Sequence, residues 1–516
     1  MKKIIYTITI SAAFLLASCN WDDFGDLNVN PNEATVPKTS ALLTNAQITI
    51  GGQILATQGA VYAQHVANKQ YTSADNYQTI NFATDGLYTG PLADLQKIIN
   101  LNTDAATKTA AAADGHNANQ IAVAKIMMSW YYLHMTDRWG DLPYSQALKG
   151  AEVLKPVFDS QEAIYDGVFA TLKDAVAMID TDPALTEVHG DIILGGNMGM
   201  WIKFANTLRL NAATRLSKIN PSKAASEFAL AVTAGVINAV NNSENIKFNY
   251  LNVQTYENPY YNSFVTLGRK DWTIPDPLMN LMQTTAYTSP HLSYYAAGHP
   301  YKTQSGKLNV AADPRLPVYA LPIENTTSTY IGMPFGLSEA TAGSVPQAQV
   351  SFIGSAFRAQ NSPAMIFTSA HVSFLLAEGR LNNWITTSTP QAYYEQGILA
   401  SLSQYGVAGA ANANYNTYIT NTEVAYNPAR ALEQIITQKW IAIFPNGYEA
   451  WAEWRRTGFP ALSPGQNALT PNGQIPRRQA YGTQEANLNL ENYQAALSRQ
   501  GLAQDDLTGR VWWDKP

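Results

Sequence analysis

The sequence predicts a mostly α-helical scaffold interrupted by a loop-rich, partly β insertion. Apolar residues recur at helical spacing behind N-cap signals over two long stretches. Between residues 241 and 360 the texture turns to short runs broken by Pro, Asn, Gly and Tyr, and the helical pattern then resumes to the end of the chain.

At the start, Lys2 and Lys3 precede an apolar run from Ile4 to Leu16 that closes on Ala17, Ser18 and Cys19. A membrane span needs ~20 apolar residues, so this shorter run reads as a signal peptide over residues 1–18. Cys19 is the single cysteine of 516 residues. It stands where a lipobox puts the thiol that receives a diacylglyceryl group, which makes it the expected lipidation site and excludes an intrachain disulfide. Each acyl methylene contributes ~0.8 kcal/mol on entering a bilayer, so several chains hold a protein on a membrane durably. Residues 19–38, with Asp22, Asp23 and Asp26 among asparagines and Pro31, are a polar tether that buries too little apolar surface to fold alone.

The remaining domain, 39–516, opens with a helix near 40–66, followed by one at 117–136. A capping-box pattern of Asp159 and Glu162 introduces a helix over Ile164 to Ile179. In the next, Trp201, Phe204, Ala205, Leu208, Ala212 and Leu216 share one apolar stripe, with Arg209 and Arg215 off it. Asn220-Pro221, Thr389-Pro390 and Asn427-Pro428 each pair an N-cap residue with proline at the first helical position. They start helices after 220, over 390–404 and over 428–444, and apolar periodicity adds 366–382 and 447–456. Paired helices joined by short polar turns suggest a tetratricopeptide-like helical-repeat scaffold over 39–240 and 361–516, although no fixed ~34-residue period superposes them.

The insertion is rich in tyrosine. Residues 250–335 hold 10 of the 28 tyrosines, where an even spread gives roughly 5. Aromatic residues make up 11% of the chain against 14% charged, a balance that suits neutral, hydroxyl-rich ligands. Removing Lys2 and Lys3 from the 33 basic residues leaves 31 against 39 acidic, a net charge of −8. With no basic cluster, nucleic acid is excluded as a partner.

No Gly-x-Ser-x-Gly elbow, His-Glu-x-x-His pair, phosphate loop or dinucleotide fingerprint is present, so no cofactor and no catalytic set is expected. A glycosidase needs only two carboxylates, which a sequence does not exclude; Asp137 and Asp141 lie close but read as capping and turn residues. The seven histidines, His65, His134 and His371 among them, are scattered and read as core or surface residues. Asp75, Asn76, Asp271 and Asp276 carry oxygens suited to calcium, but without a dense Asp-x-Asp-x-Asp loop they read as solvated turns, and no metal is expected.

Several ordered stretches resemble the SusD/RagB family, in its SusD-like branch. They are Gly140-Asp141-Leu142-Pro143-Tyr144, the run Trp201 to Asn206 with Leu208-Arg209-Leu210, and Gln438-Lys439-Trp440 followed by Glu449-Ala450-Trp451 and Arg455-Arg456-Thr457-Gly458. Ile475-Pro476-Arg477-Arg478 and Trp512-Trp513-Asp514 follow in order. Physically these motif residues read as packing and turn-making: arginines beside Trp451 and Trp454 can stack and donate to carbonyls or carboxylates. The resemblance implies a lipid-anchored outer-membrane protein, facing the exterior, that captures a nutrient and delivers it to a SusC-like TonB-dependent transporter. The acidic residues behind Cys19 resemble the surface-export signal of such lipoproteins.

The family archetype binds glycans on an arc of aromatic faces, which no family-wide motif fixes. The local candidates here are Tyr71, Asn76 and Tyr77 after the first helix, with Asp75 and Asn81 beside them, and Trp272, Tyr294, Tyr295 and Tyr330 in the insertion. The alternatives are the same fold binding peptides for import, a glycoside hydrolase, and a scaffold protein without a small ligand. Abundant tyrosine and tryptophan favour a glycan over a peptide.

Overall fold

The computed structural model describes residues 37–516; the signal peptide, Cys19 and the tether up to residue 36 lie outside the described residues. The first expected helix is two, α1 (Thr39–Ile54) and α2 (Thr57–Tyr62), because Ala56 leaves helical geometry with ψ at 118°. The break lets α2 cross α12 (Gly447–Thr457) at backbone contact. A Cβ on Gly59 would fall 2.6 Å from the Tyr448 nitrogen, and one on Gly447 would collide with Ala60, so glycine on both helices permits the approach.

Between them run α3 (Ala93–Thr103), α4 (Asn117–Trp139), α5 (Gln161–Met178), α6 (Met198–Arg215) and α7 (Pro221–Ala234), then α8 (Asp276–Met282), α9 (Ser369–Leu381), α10 (Pro390–Gln404) and α11 (Ala431–Ala442), with α13 (Leu490–Arg499) near the end. Neighbours in sequence pack in turn, α1 on α3, α3 on α4, α4 on α5, α5 on α6 and α6 on α7, and α6 also meets α9, which packs on α10 and α11. This is the paired-helix scaffold that the periodicity predicts.

Helix starts follow the local chemistry with one correction. Asn220 and Thr389 cap α7 and α10 by accepting the Lys223 and Ala392 N–H groups, while Asn427 opens a 3₁₀ turn over Pro428–Arg430 that leads into α11. The cap of α5 is Ser160, which accepts from Ala163 N, and not Asp159. Asp159 lies in a strand and turns its carboxylate to the N–H groups of Tyr144 and Ser145 at 3.0 and 2.8 Å.

Eight short strands pair two by two among the described residues. β1 (Ala67–Asn68) pairs with β6 (Trp272–Thr273), β2 (Asn81–Phe82) with β8 (Ala480–Tyr481), β3 (Leu142–Pro143) with β4 (Phe158–Asp159), and β5 (Ile246–Phe248) with β7 (Ala364–Phe367); only β2–β8 is parallel. The β5–β7 ladder ties together the two ends of the loop-rich insertion. Inside it the longest helix is α8, and Ile274, Leu278, Met282, Tyr319 and Phe335 are buried as its core.

The stripe of α6 is buried, as expected, but so is the polar side of that helix. Neighbouring helices surround α6, so Arg209 pairs with Glu227 at 2.5 Å, and Arg215 meets Glu449 at 2.6 Å, Asp137 at 3.5 Å and also Glu453. Lys439 reaches Glu453 at 3.2 Å, and Arg456 holds Glu378 at 2.5 Å. Arg455 lies over Trp451, 3.5 Å from the ring centroid. Four buried cations, Arg215, Lys439, Arg455 and Arg456, thus face four carboxylates, Asp137, Glu378, Glu449 and Glu453. Asp137 is therefore an ion-pair partner that also accepts from Tyr165 Oη and Trp513 Nε1, where the sequence alone reads a turn. Asp141 keeps a capping role, accepting Gln161 N at 2.9 Å, and adds an ion pair with Arg499.

Candidate functional site

The β1–β6 ladder sets Asn68 opposite Trp272. The Asn68 side-chain oxygen accepts from the Gln70 and Tyr71 N–H groups at 2.9 and 2.7 Å, an Asx turn that ends the strand and leaves Tyr71 49% exposed. Across the ladder, Lys69 N donates to the Asp271 carbonyl at 2.8 Å. Arg269 sits 5.2 Å from the Tyr71 ring centroid, its guanidinium held by Asp271 at 2.6 Å. Two candidates some two hundred residues apart in sequence are thus brought to one end of the ladder, Trp272 within it and Tyr71 three residues past Asn68, with Arg269 beside each. Half-buried Trp272 shares a shallow depression with Phe264, Arg269 and Arg358, and Arg358 covers Phe264 at 4.0 Å. Leu251, Val253, Tyr256, Val265 and Leu267 are exposed on the chain that leads there. Ring faces flanked by guanidinium donors can pack on C–H surfaces and bond hydroxyl oxygens together.

The other candidates divide. Tyr294 and Tyr330 are half-buried; Tyr294 Oη donates to the Ser344 carbonyl at 3.3 Å, and the Tyr330 carbonyl accepts from Gln283. Asn76, Tyr77 and Tyr295 are buried. Asn76 donates to the Leu337 carbonyl at 2.9 Å. Tyr77, at a positive φ of 59°, packs edge-on against Tyr62. Tyr295 accepts the Phe335 N–H at 2.7 Å and stacks on His299 with ring centroids 5.1 Å apart. These three fill the core, which is where much of the tyrosine excess of the insertion goes.

The acidic residues read as solvated turns are buried instead. Asp75 accepts the Asn68 N–H on both oxygens, and burial holds its carboxyl well above the usual range. Asp271 is paired with Arg269. Asp276 is wholly buried, and that burial pushes its carboxyl up to about 7. No cluster able to hold a metal is found among the described residues, nor is any helix among them long and apolar enough to cross a membrane. Of the histidines, His65 and His371 are core residues, His65 bonded to the Trp440 carbonyl.

Sequence reasoning missed Arg269 and Arg358, whose only local signal is an arginine beside an aromatic-rich run. It also missed a cleft of about 430 Å³ between α8 and α11, assembled from segments more than a hundred residues apart.

A profile of the SusD-like family, described as starch-binding and associating with the outer membrane, matches residues 31–482. No curated protein matches the sequence significantly. Among solved structures, the chain is similar to a chitin-binding protein at 25% identity, over 93% of this chain and 100% of that one, with a TM-score of 0.71. It is similar in fold to a SusD homologue from Bacteroides fragilis, at 24% identity over 93% and 99% of the two chains and a TM-score of 0.72. A chitin-binding SusD homologue from Flavobacterium johnsoniae superposes with a TM-score of 0.71 at 24% identity, covering 92% of this chain and 98% of that one. With the family profile covering most of its length and these neighbours sharing its helical architecture, the chain belongs to the SusD-like family.

Proposed function

We propose that this protein is a surface lipoprotein of the outer membrane, anchored through Cys19, that binds an oligosaccharide and delivers it to a SusC-like TonB-dependent transporter. It works by binding and not by catalysis. The observation that supports this most directly is Arg269, which lies over the Tyr71 ring and shares a depression with Trp272 beside the β1–β6 ladder. That places one exposed and one half-exposed ring next to a fixed guanidinium, on a chain whose family is described by starch binding. The likeness to a chitin-binding protein adds chito-oligosaccharides to the ligands worth testing.

Calorimetric titration of the protein with malto- and chito-oligosaccharides tests the reading. Saturable binding should weaken about five- to tenfold in Tyr71→Ala and in Trp272→Ala, since stacking on one ring contributes on the order of 1 kcal/mol. Silence toward every neutral glycan, or binding that neither substitution changes, would overturn the assignment of this face.

A further inference from the structure

The cleft between α8 and α11 is made of other residues and of another chemistry. Its volume of about 430 Å³ lies within the size range of small-molecule sites. One wall carries Arg430, whose guanidinium is held by Glu433 at 2.6 Å and Glu423 at 2.7 Å. Two carboxylates around one guanidinium leave that wall with a net charge of −1, and Glu423 Oε1 has no hydrogen bond among the described residues. Elsewhere the cleft is lined by Lys307, which is exposed and makes no ion pair among the described residues. The same lining includes Asn280, 1% exposed, which donates to Gln304 at 3.1 Å while its Oδ1 has no partner. A buried acceptor left without a donor is costly, and a ligand N–H supplies the missing bond. Leu281, Leu308, Ile441 and Leu462 are among the apolar residues of the lining. Tyr301, the only aromatic residue of the lining, is buried, with its hydroxyl committed to Gln64 and Ser463.

We infer that this cleft is a second binding site, for a zwitterionic dipeptide, in which the Glu423–Arg430–Glu433 wall takes the ammonium, Asn280 the peptide N–H and Lys307 the carboxylate. The two opposed charges line one cavity without neutralising each other, and the buried acceptor lies in the same lining. A sugar finds no exposed ring to stack on here, whereas a dipeptide supplies a cation, an amide donor and an anion in one small molecule. The site is independent of the aromatic face, and its occupant need not be the cargo carried there.

The test is calorimetry on the full-length protein in detergent, titrated with alanyl-leucine and, separately, with the same dipeptide acetylated at its amino end and amidated at its carboxyl end. The free dipeptide should bind saturably and the blocked one at least tenfold more weakly. Lys307→Ala and Glu423→Gln should each weaken the free dipeptide about fivefold, the upper range for a solvent-accessible charge pair, while Tyr71→Ala leaves it unchanged. Lys307 and Glu423 are surface residues, so both variants should keep the parent melting temperature, which is checked alongside. No saturable heat from the free dipeptide at about 10 mM, equal binding of the blocked form, or indifference to both substitutions overturns the inference. Glycan binding measured on the same sample separates this outcome from a failure of the aromatic face: glycan heat without dipeptide heat removes the cleft alone.

Discussion

Asp276 shows what a single buried carboxyl does to this molecule. In an unfolded chain it titrates near 3.8, whereas burial raises it to about 7 in the folded protein, with the Ser289 and Tyr295 hydroxyls only partly offsetting the effect. The folded state therefore keeps a proton that the unfolded state has released. Its stabilising contribution is whole below pH 3.8 and is lost as the pH rises through 7, to a total of about 4 kcal/mol. Asp276→Asn should melt higher than the parent at pH 8 and no higher at pH 4; a difference constant over that range would remove Asp276 as its source. Burial of this kind was not legible in the sequence. The same holds for Tyr77 and Tyr295, whose burial depends on Tyr62, Phe335 and His299 packing around them. Tyr71 was legible as a loop aromatic, but Arg269 lies beside both it and Trp272 only once β1 has paired with β6.

At the level of elements, apolar spacing located the long helices well, since α4, α6, α10 and α12 begin and end within a few residues of their expected bounds. Their ends were harder wherever a distant partner decides. Asp159 looks like a cap until Leu142 pairs with it in β4, and the break between α1 and α2 answers to Gly447, nearly four hundred residues later. The consequence is measurable. Ser160→Ala should destabilise the protein by about 1 kcal/mol and speed hydrogen exchange at the Ala163 amide, which the Ser160 hydroxyl accepts. Asp159→Ala should leave that amide protected and instead loosen the turn at Tyr144 and Ser145. If both variants exposed the Ala163 amide alike, the cap would not belong to Ser160.

For the whole molecule, the helical scaffold was legible as paired helices, but its repeat was not, because the pairs differ in length and in the turns that join them. Family resemblance supplied that level, and the matching profile and solved neighbours bear out the family and its helical fold. The anchor is tested separately: Cys19→Ala should move the protein from the membrane fraction to the soluble fraction, and retention in the membrane would refute lipidation at that residue. The β5–β7 ladder carries a last consequence. Because the chain leaves the scaffold at Ile246–Phe248 and returns beside that point at Ala364–Phe367, the segment between is a cassette with adjoining ends. Extra residues in its exposed loops, such as the one through Leu251 and Val253, would leave the spacing of the helices unchanged, whereas the side chains it sends into the scaffold, Tyr301 against Gln64 and Tyr319 against Ile441 among them, act as rivets that hold the cassette in its frame.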